Sequence, residues 1–327
     1  MSSGRFKVVI TDSYHPTLEA EREELQKVDV DLILEQCKDK PLDEIIAITR
    51  DADAIMVQHA SITRKVIEHL EKCRIIARYG VGFDNVDIAA ATECGIMVSN
   101  VPDYCIDEVS SHAIALLMAC SRKICLLDNS IKSGQWTYRI AEPIPKLMGQ
   151  TLGIVGLGRI GSAAAKKGLG LGMKVQAYDP YVSETDLDVS FVDFDVLLRT
   201  SDFISLHPPL TDETRQMMGQ DEFKKMKNGA FLINTARGPI VDGKALYEAL
   251  KTEEIAGAGL DVMEDEPPSQ DDPLLKLDNF TITPHIAWYS VDSQELLQRE
   301  TARAVVAVLN GGKPISLVNP EVLNRKQ

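Results

Sequence analysis

Residues 151–161 read TLGIVGLGRIG, and Asp179 follows in the segment KVQAYDP. Leu152 to Val155 is a short apolar run suited to a buried strand. Gly156, Gly158 and Gly161 then form GxGxxG where a helix should begin. The first glycine permits a tight turn, the second removes a side chain that would block a pyrophosphate, and the third lets helix and strand pack closely. Backbone N–H groups of the new helix, around Arg159 and Ile160, face the phosphates. Met173 to Tyr178 reads as the next strand, with Asp179 at its end. A carboxylate there accepts hydrogen bonds from ribose hydroxyls and repels a 2′-phosphate, so the expected cofactor is NAD rather than NADP. The motif alone also fits a turn that binds nothing. The strand, the helix and the spaced acid together argue for the dinucleotide.

Outward from this turn the chain keeps an α/β rhythm. Strands are expected at 6–11, 31–35, 54–57, 73–78 and 96–99, with helices at 18–26, 42–49, 63–71 (Thr63 available as cap) and from Asp87 to Thr92 between them. Five strands in under 100 residues imply a compact parallel sheet. A long apolar helix is expected over 106–122, then an irregular aromatic stretch over 134–149. A second strand series follows at 152–155, 174–178, 203–206, 230–233, 256–260 and 280–282. A final helix runs over 293–310 and ends at Gly311–Gly312.

With 327 residues, 44% of them hydrophobic, the chain is long enough for two domains. Its formal charge of −14 opposes direct contact with nucleic acid. The six cysteines form no CxxC pair and no metal-site spacing, so reduced thiols and no metal are expected. Met1 to Lys7 lacks the apolar core of a signal peptide, and no stretch is apolar enough to span a membrane. A cytoplasmic protein is the expectation.

Three later segments carry ionisable residues at strand ends: NTARG at 234–238, LDVMEDEP at 260–267 and TPHIAWYS at 283–290. Arginine engages a planar carboxylate through two N–H groups. Histidine exchanges a proton near neutral pH, and a neighbouring carboxylate orients its ring. A dehydrogenase needs that combination, the cofactor supplying the hydride. Read singly, Arg237 is equally a surface ion-pair partner, Glu266 a turn cap and His285 a structural histidine. The pattern places them after successive strands and does not by itself bring them together.

Over nearly its whole length the chain resembles the D-isomer-specific 2-hydroxyacid dehydrogenases. GLGRIG with YDP is similar to the family's NAD turn and ribose-binding acid. The resemblance implies that Arg237 of NTARG binds the substrate carboxylate, that Glu266 is the partner of the catalytic histidine, and that His285 is the acid–base residue. RYGVGFDN at 78–85 resembles the turn whose backbone N–H groups hold the carboxylate, implicating Val81 and Gly82. SLHPPLTDET at 205–214 resembles the loop over the nicotinamide, implying cofactor contacts for His207, Pro208 and Thr214. Ala236 and Asp261 resemble further cofactor contacts. His112 stands where the family has small or hydroxyl residues and is expected to cap or pack.

The implied fold is two Rossmann-like domains with a cleft between them. Residues 1–101 plus 293–327 form a flavodoxin-like substrate domain. Residues 102–292 form the NAD-binding Rossmann domain, including the interdomain helix near 106–122. The implied activity interconverts a D-2-hydroxy acid and a 2-keto acid, in a homodimer. At this length, no regulatory domain of the kind some phosphoglycerate dehydrogenases carry is expected. The residues after His285 depart from the family's usual small ones: HIAWYS is close to the C-terminal-binding protein corepressors, which suggests that Trp288 lines the substrate site. Two alternatives therefore stand beside the enzyme, an NAD(H)-sensing interaction module like those corepressors and a D-3-phosphoglycerate dehydrogenase. Against the latter, QHAS at 58–61 carries no arginine.

Overall fold

The computed structural model describes residues 5–324; the outermost parts of the Met1–Lys7 and Lys313–Gln327 stretches lie outside the described residues. The chain forms two compact units. One holds the residues up to Tyr104 and those from Ser290 onward, and the other spans Cys105–Tyr289, so the changeovers stand at 104/105 and 289/290 rather than at 101/102 and 292/293.

The first unit opens with β1 (Phe6–Ile10), α1 (Glu19–Leu25), β2 (Val30–Leu34), α2 (Leu42–Thr49), β3 (Ala54–Val57), α3 (Arg64–Ile67), β4 (Ile75–Arg78), α4 (Ile88–Glu93) and β5 (Met97–Ser99). Its five strands are parallel in the order β2-β1-β3-β4-β5. Every residue of β3 is buried. Such strands are covered on both faces, so they read as continuous apolar runs without alternation. Asp87 caps α4 by accepting from the Ala90 N–H at 2.8 Å. The Thr63 hydroxyl makes no cap bond, and α3 is one turn instead of the expected span to residue 71. The chain tightens there, with His69 and Leu70 donating to carbonyls three residues back.

The second unit contains α5 (Ile106–Ser121), α6 (Ile124–Lys132), β6 (Thr151–Val155), α7 (Arg159–Gly170), β7 (Lys174–Tyr178), β8 (Val189–Phe191), α8 (Phe194–Thr200), β9 (Phe203–Leu206), α9 (Gln220–Lys225), β10 (Phe231–Asn234), α10 (Gly243–Lys251), β11 (Gly257–Leu260) and β12 (Phe280–Ile282). All seven strands are parallel, in the order β12-β11-β10-β9-β6-β7-β8. Strand direction of travel reverses between β6 and β9, the switch point where open α/β sheets bind ligands. Helix α5 buries Val109, Ala113, Leu116, Leu117 and Cys120, and packs on α7, β10 and β11.

Two elements were not expected. Strand β8 is a three-residue, partly exposed edge, too short to show a period. Helix α6 resumes after Lys123 enters the left-handed region (φ 51°), which bends the path by 60°. Among the described residues no single helix is long and apolar enough to cross a membrane.

The chain then returns to the first unit as α11 (Val291–Leu309), which packs on α1, β3 and β4. The segment after it seals the edge strand β5: Val318 N–H donates to the Val98 carbonyl, and buried Asn319 Oδ1 accepts from the Val98 N–H, both at 2.8 Å. A covered edge offers no template for pairing with another chain.

Candidate active site

Each glycine of GxGxxG meets a different physical demand. Gly156 ends β6 at φ 87°, a conformation L-residues rarely adopt, and a Cβ there would stand 2.9 Å from Pro208 N. A Cβ on Gly161 would sit 2.0 Å from the Gly156 carbonyl oxygen, so helix and turn approach through this position. On Gly158, by contrast, a Cβ would meet no protein atom within 4 Å. The middle glycine therefore fronts open space at the N-terminus of α7, where the first helical N–H groups, those of Arg159 and Ile160, have no acceptor within the helix. That cradle fits a pyrophosphate.

Asp179 follows β7, and its carboxylate stitches the turn to that strand. Oδ2 accepts from the Leu157 N–H at 2.7 Å, and Oδ1 accepts from the N–H groups of Tyr181 and Val182 at 2.8 and 3.1 Å. His207 and Pro208, after β9, back onto Gly156. Burial pushes the His207 imidazole down to about 4, and its Nε2 lies 2.9 Å from Ser205 Oγ. Thr214 closes the following loop by donating to the Pro209 carbonyl at 2.6 Å.

Beyond β10, Asn234 clamps the next loop. Its Oδ1 accepts from the Ala236 N–H and its Nδ2 donates to the Arg237 carbonyl, both at 2.9 Å, while Arg237 Nη1 donates to the Ala236 carbonyl at 2.7 Å. Gly238 lets this loop touch the one after β11: a Cβ there would lie 1.9 Å from the Met263 carbonyl oxygen. Met263 in turn donates its N–H to Glu266 Oε1 at 3.0 Å. The other oxygen, Oε2, lies 2.6 Å from His285 Nδ1. An ionised carboxylate only accepts, so Nδ1 carries the proton and Nε2 is the nitrogen left to work on another molecule. Burial works to raise the Glu266 carboxyl. The hydrogen bond and charge of His285, the Met263 N–H and the Arg237 charge together outweigh it and hold the group below its usual value. The arginine field thus reaches the carboxylate–imidazole pair. The structure brings Arg237, Glu266 and His285 together from three loops of one sheet edge.

His285 itself is in the left-handed region at φ 53°. Such a backbone costs about 1–3 kcal/mol and persists where its surroundings hold it. Here Asp261 does the holding. Only 1% exposed, it accepts the His285 N–H on its backbone carbonyl at 2.8 Å, the Ile286 N–H on Oδ1 at 3.0 Å and the Ala287 N–H on Oδ2 at 2.8 Å. Its side chain is turned beneath the histidine loop; the cofactor contact that the resemblance implies for it is a separate role. The Trp288 indole N–H donates to the His285 carbonyl at 3.0 Å, so the histidine is pinned from both sides. Asn234, Gly238 and the buried role of Asp261 were not singled out in the sequence, although all stand at or just past strand ends. His112, expected to cap or pack, has its Nε2 2.8 Å from Thr283 Oγ1.

In the first unit, the Val81–Gly82 turn follows β4. Asn100 Nδ2 donates to the Val81 carbonyl, and Ser316 Oγ donates to Asn100 Oδ1, both at 2.6 Å. Gly80 takes φ 133° at the start of this turn.

A family model described as D-isomer specific 2-hydroxyacid dehydrogenase, NAD binding domain, matches residues 114–287. A glyoxylate reductase of Korarchaeum cryptofilum is 43% identical over 288 residues, 85% of this chain and 86% of the relative. A hydroxypyruvate reductase of Thermotoga maritima is 43% identical over 77% of this chain and 83% of its own length. Among solved structures, D-lactate dehydrogenase from Aquifex aeolicus, complexed with NAD and lactic acid, superposes with a TM-score of 0.87 at 32% identity, covering 95% of this chain and 99% of that one. With the dinucleotide cradle, the acidic strand end and the Arg–Glu–His grouping already in place, these matches make the chain a member of the D-isomer-specific 2-hydroxyacid dehydrogenases, NAD-dependent oxidoreductases that interconvert a D-2-hydroxy acid and a 2-keto acid.

Proposed function

We propose that this enzyme reduces a small 2-keto acid of the glyoxylate or hydroxypyruvate kind, with His285 as the acid–base residue, Glu266 as its orienting partner and Arg237 as the carboxylate anchor. The observation that carries the reading is the 2.6 Å Glu266–His285 pair, with the Arg237 charge felt at the same carboxylate. Gly156, Gly158, Arg159, Ile160 and Gly161 would cradle the cofactor pyrophosphate, Asp179 would bind its ribose, and His207, Pro208, Thr214, Ala236 and Asp261 would hold its nicotinamide half. When bound, NADH supplies the hydride for the 2-carbon of the substrate. The chain's own part is positional and protic. Arg237 holds the carboxylate, a role the resemblance also gives to the backbone N–H groups of Val81 and Gly82. His285 Nε2 gives its proton to the 2-keto oxygen, and Glu266 stabilises the imidazolium beforehand. In the oxidation direction the same nitrogen takes the hydroxyl proton.

Kinship with the corepressor-like branch rests on HIAWYS at 285–290. On that ground an NAD(H)-responsive interaction role is the second reading. The phosphoglycerate reading is weakened by the arginine-free QHAS loop. A homodimer built on the Rossmann unit is supported by the exposed apolar side chains that follow α5. Trp136 is 88% exposed, Tyr138 69% and Met148 62%, with Ile124 and Ile131 also at the surface. Such side chains mark an interaction surface where they adjoin one another. A cytoplasmic setting is supported by six free cysteines.

The test is NADH oxidation with glyoxylate, pyruvate, hydroxypyruvate, phenylpyruvate and a 4-methylthio-2-keto acid, for wild type and His285→Ala. The variant should bind NADH normally and lose roughly 10²–10⁴-fold in kcat. Turnover unchanged in His285→Ala removes the acid–base role. Sound NADH binding with no turnover of any of these acids by wild type turns the balance to the interaction role.

A further inference from the structure

We propose that His112 is a positioning residue for the proton-transfer loop, acting on His285 through Thr283 and Asp261. The inference rests on the reading of His285 as the acid–base group. His112 lies on α5, remote in sequence from the loop, and the proton transfer proposed above does not use it. Its Nε2 stands 2.8 Å from Thr283 Oγ1, and that hydroxyl stands 2.5 Å from Asp261 Oδ1. A threonine hydroxyl has one proton and a carboxylate has none to give. The proton therefore goes to Asp261, and Thr283 Oγ1 is left as an acceptor. His112 Nε2 must then be a donor, which fixes its tautomer. The same nitrogen lies 3.6 Å from Asp261 Oδ1, so the imidazole backs the buried carboxylate as well as its hydroxyl partner.

The downstream end of the chain gives this arrangement its consequence. Asp261 uses both carboxylate oxygens and its carbonyl to hold the N–H groups of Ile286, Ala287 and His285. Those three bonds keep His285 at φ 53°, a left-handed conformation uncommon for any residue but glycine. Without a donor at position 112, Thr283 is released to turn its hydroxyl elsewhere. Oδ1 of Asp261 then loses a charge-assisted partner in a dry site, and the carboxylate can pivot away from Ile286. The displaced atom is His285 Nε2, at the far end of the loop. The cofactor cradle at 156–161 takes no part in this series.

The experiment compares wild type, His112→Leu, His112→Gln, Thr283→Val and the His112→Leu/Thr283→Val double variant, each assayed with NADH and whichever of the five acids above wild type reduces fastest. NADH affinity is measured by fluorescence. His112→Leu and Thr283→Val should each lower kcat about tenfold, with KM within about threefold and NADH affinity within about twofold. The double variant should be no worse than the poorer single one, because both changes cut the same series. His112→Gln, which keeps an N–H donor, should recover most of the loss. A readout independent of turnover is the His285 Nδ1 proton, observed by NMR in histidine-labelled protein. Its resonance should shift in both single variants, and the shift should be reversed in His112→Gln. Wild-type kcat in a folded His112→Leu, losses that multiply in the double variant, or an unmoved Nδ1 resonance would each overturn the proposal. His285→Ala, run in parallel, separates the two ideas: if it retains turnover the acid–base reading fails, whereas a dead His285→Ala beside a normal His112→Leu refutes the positioning role alone.

Discussion

Gly238→Ala tests how the site is assembled. Glycine is not needed at 238 for its backbone, since no left-handed φ is found there; the demand is for space. An added Cβ would lie 1.9 Å from the Met263 carbonyl oxygen, 2.0 Å from its carbon and 2.5 Å from Glu264 N. All three are backbone atoms, so no side chain can swing aside. To reach even a tight 3.0 Å contact the loops after β10 and β11 must part by about 1.1 Å. Arg237 is carried on one of these loops. Glu266 is carried on the other, held by the Met263 N–H at 3.0 Å. Parting them moves Arg237, the proposed carboxylate anchor, away from the Glu266–His285 pair. Misplacement of about 1 Å in a reacting arrangement costs about 10²-fold, equivalent to about 2.7 kcal/mol of barrier. Overpacking itself should cost about 1–3 kcal/mol of stability. Stopped-flow and steady-state reduction of the best 2-keto acid, with NADH titration and thermal unfolding alongside, separates these effects. The expected result is kcat/KM lower by about 10²-fold, a Tm lower by several degrees and an NADH affinity near that of wild type. A variant with wild-type kcat/KM and Tm would refute the contact. Equal loss of NADH binding would show that the damage is general.

Three further outcomes follow from other parts of the molecule. NADH should bind at least about tenfold more tightly than NADPH, about 1.4 kcal/mol, because of Asp179; Asp179→Asn should narrow the gap while preserving the acceptor for Leu157 N–H, and equal affinities in wild type would sink the ribose assignment. His207 is lowered from 6.5 to about 4 by burial, so as pH falls the unfolded chain takes up this proton first; stability is full above 6.5 and is lost between 6.5 and 4 by about 3 kcal/mol. Chemical denaturation at several pH values should show that loss shrinking in His207→Gln, and parallel curves for the two proteins would contradict it. Sedimentation equilibrium should find a dimer that Trp136→Glu weakens, given the 88% exposure of that indole; a wild-type monomer at every concentration, with full activity, would end the dimer assignment.

The Rossmann unit is legible in the sequence because its signals are local. A glycine that must adopt φ 87°, an apolar run buried on both faces and an acid one strand later are demands made by neighbouring residues on one another, so TLGIVGLGRIG and KVQAYDP carry them in full. The same holds for α4, whose Asp87 cap lies within its own first turn. Strand β8 and helix α6 escape such a reading, one being a three-residue edge and the other following a bend at a left-handed lysine. That Arg237, Glu266 and His285 are the types that carboxylate binding and proton transfer require was legible too, and those roles are what is proposed for them. Their convergence was not legible. It depends on Gly238 admitting the Met263 carbonyl, on Asn234 clamping its own loop, and on Asp261 drawing the N–H groups of residues 285–287 over a buried carboxylate. The first and last of these contacts join loops separated by about 20–30 residues, and the spacing along the chain sets neither their register nor their distance. His112 shows the same division. Its sequence neighbourhood marks only a helix, and the hydroxyl it faces is 171 residues away. Local conformational preference is written residue by residue. Which side chains share a buried carboxylate is decided only when the strands take their places in the sheet.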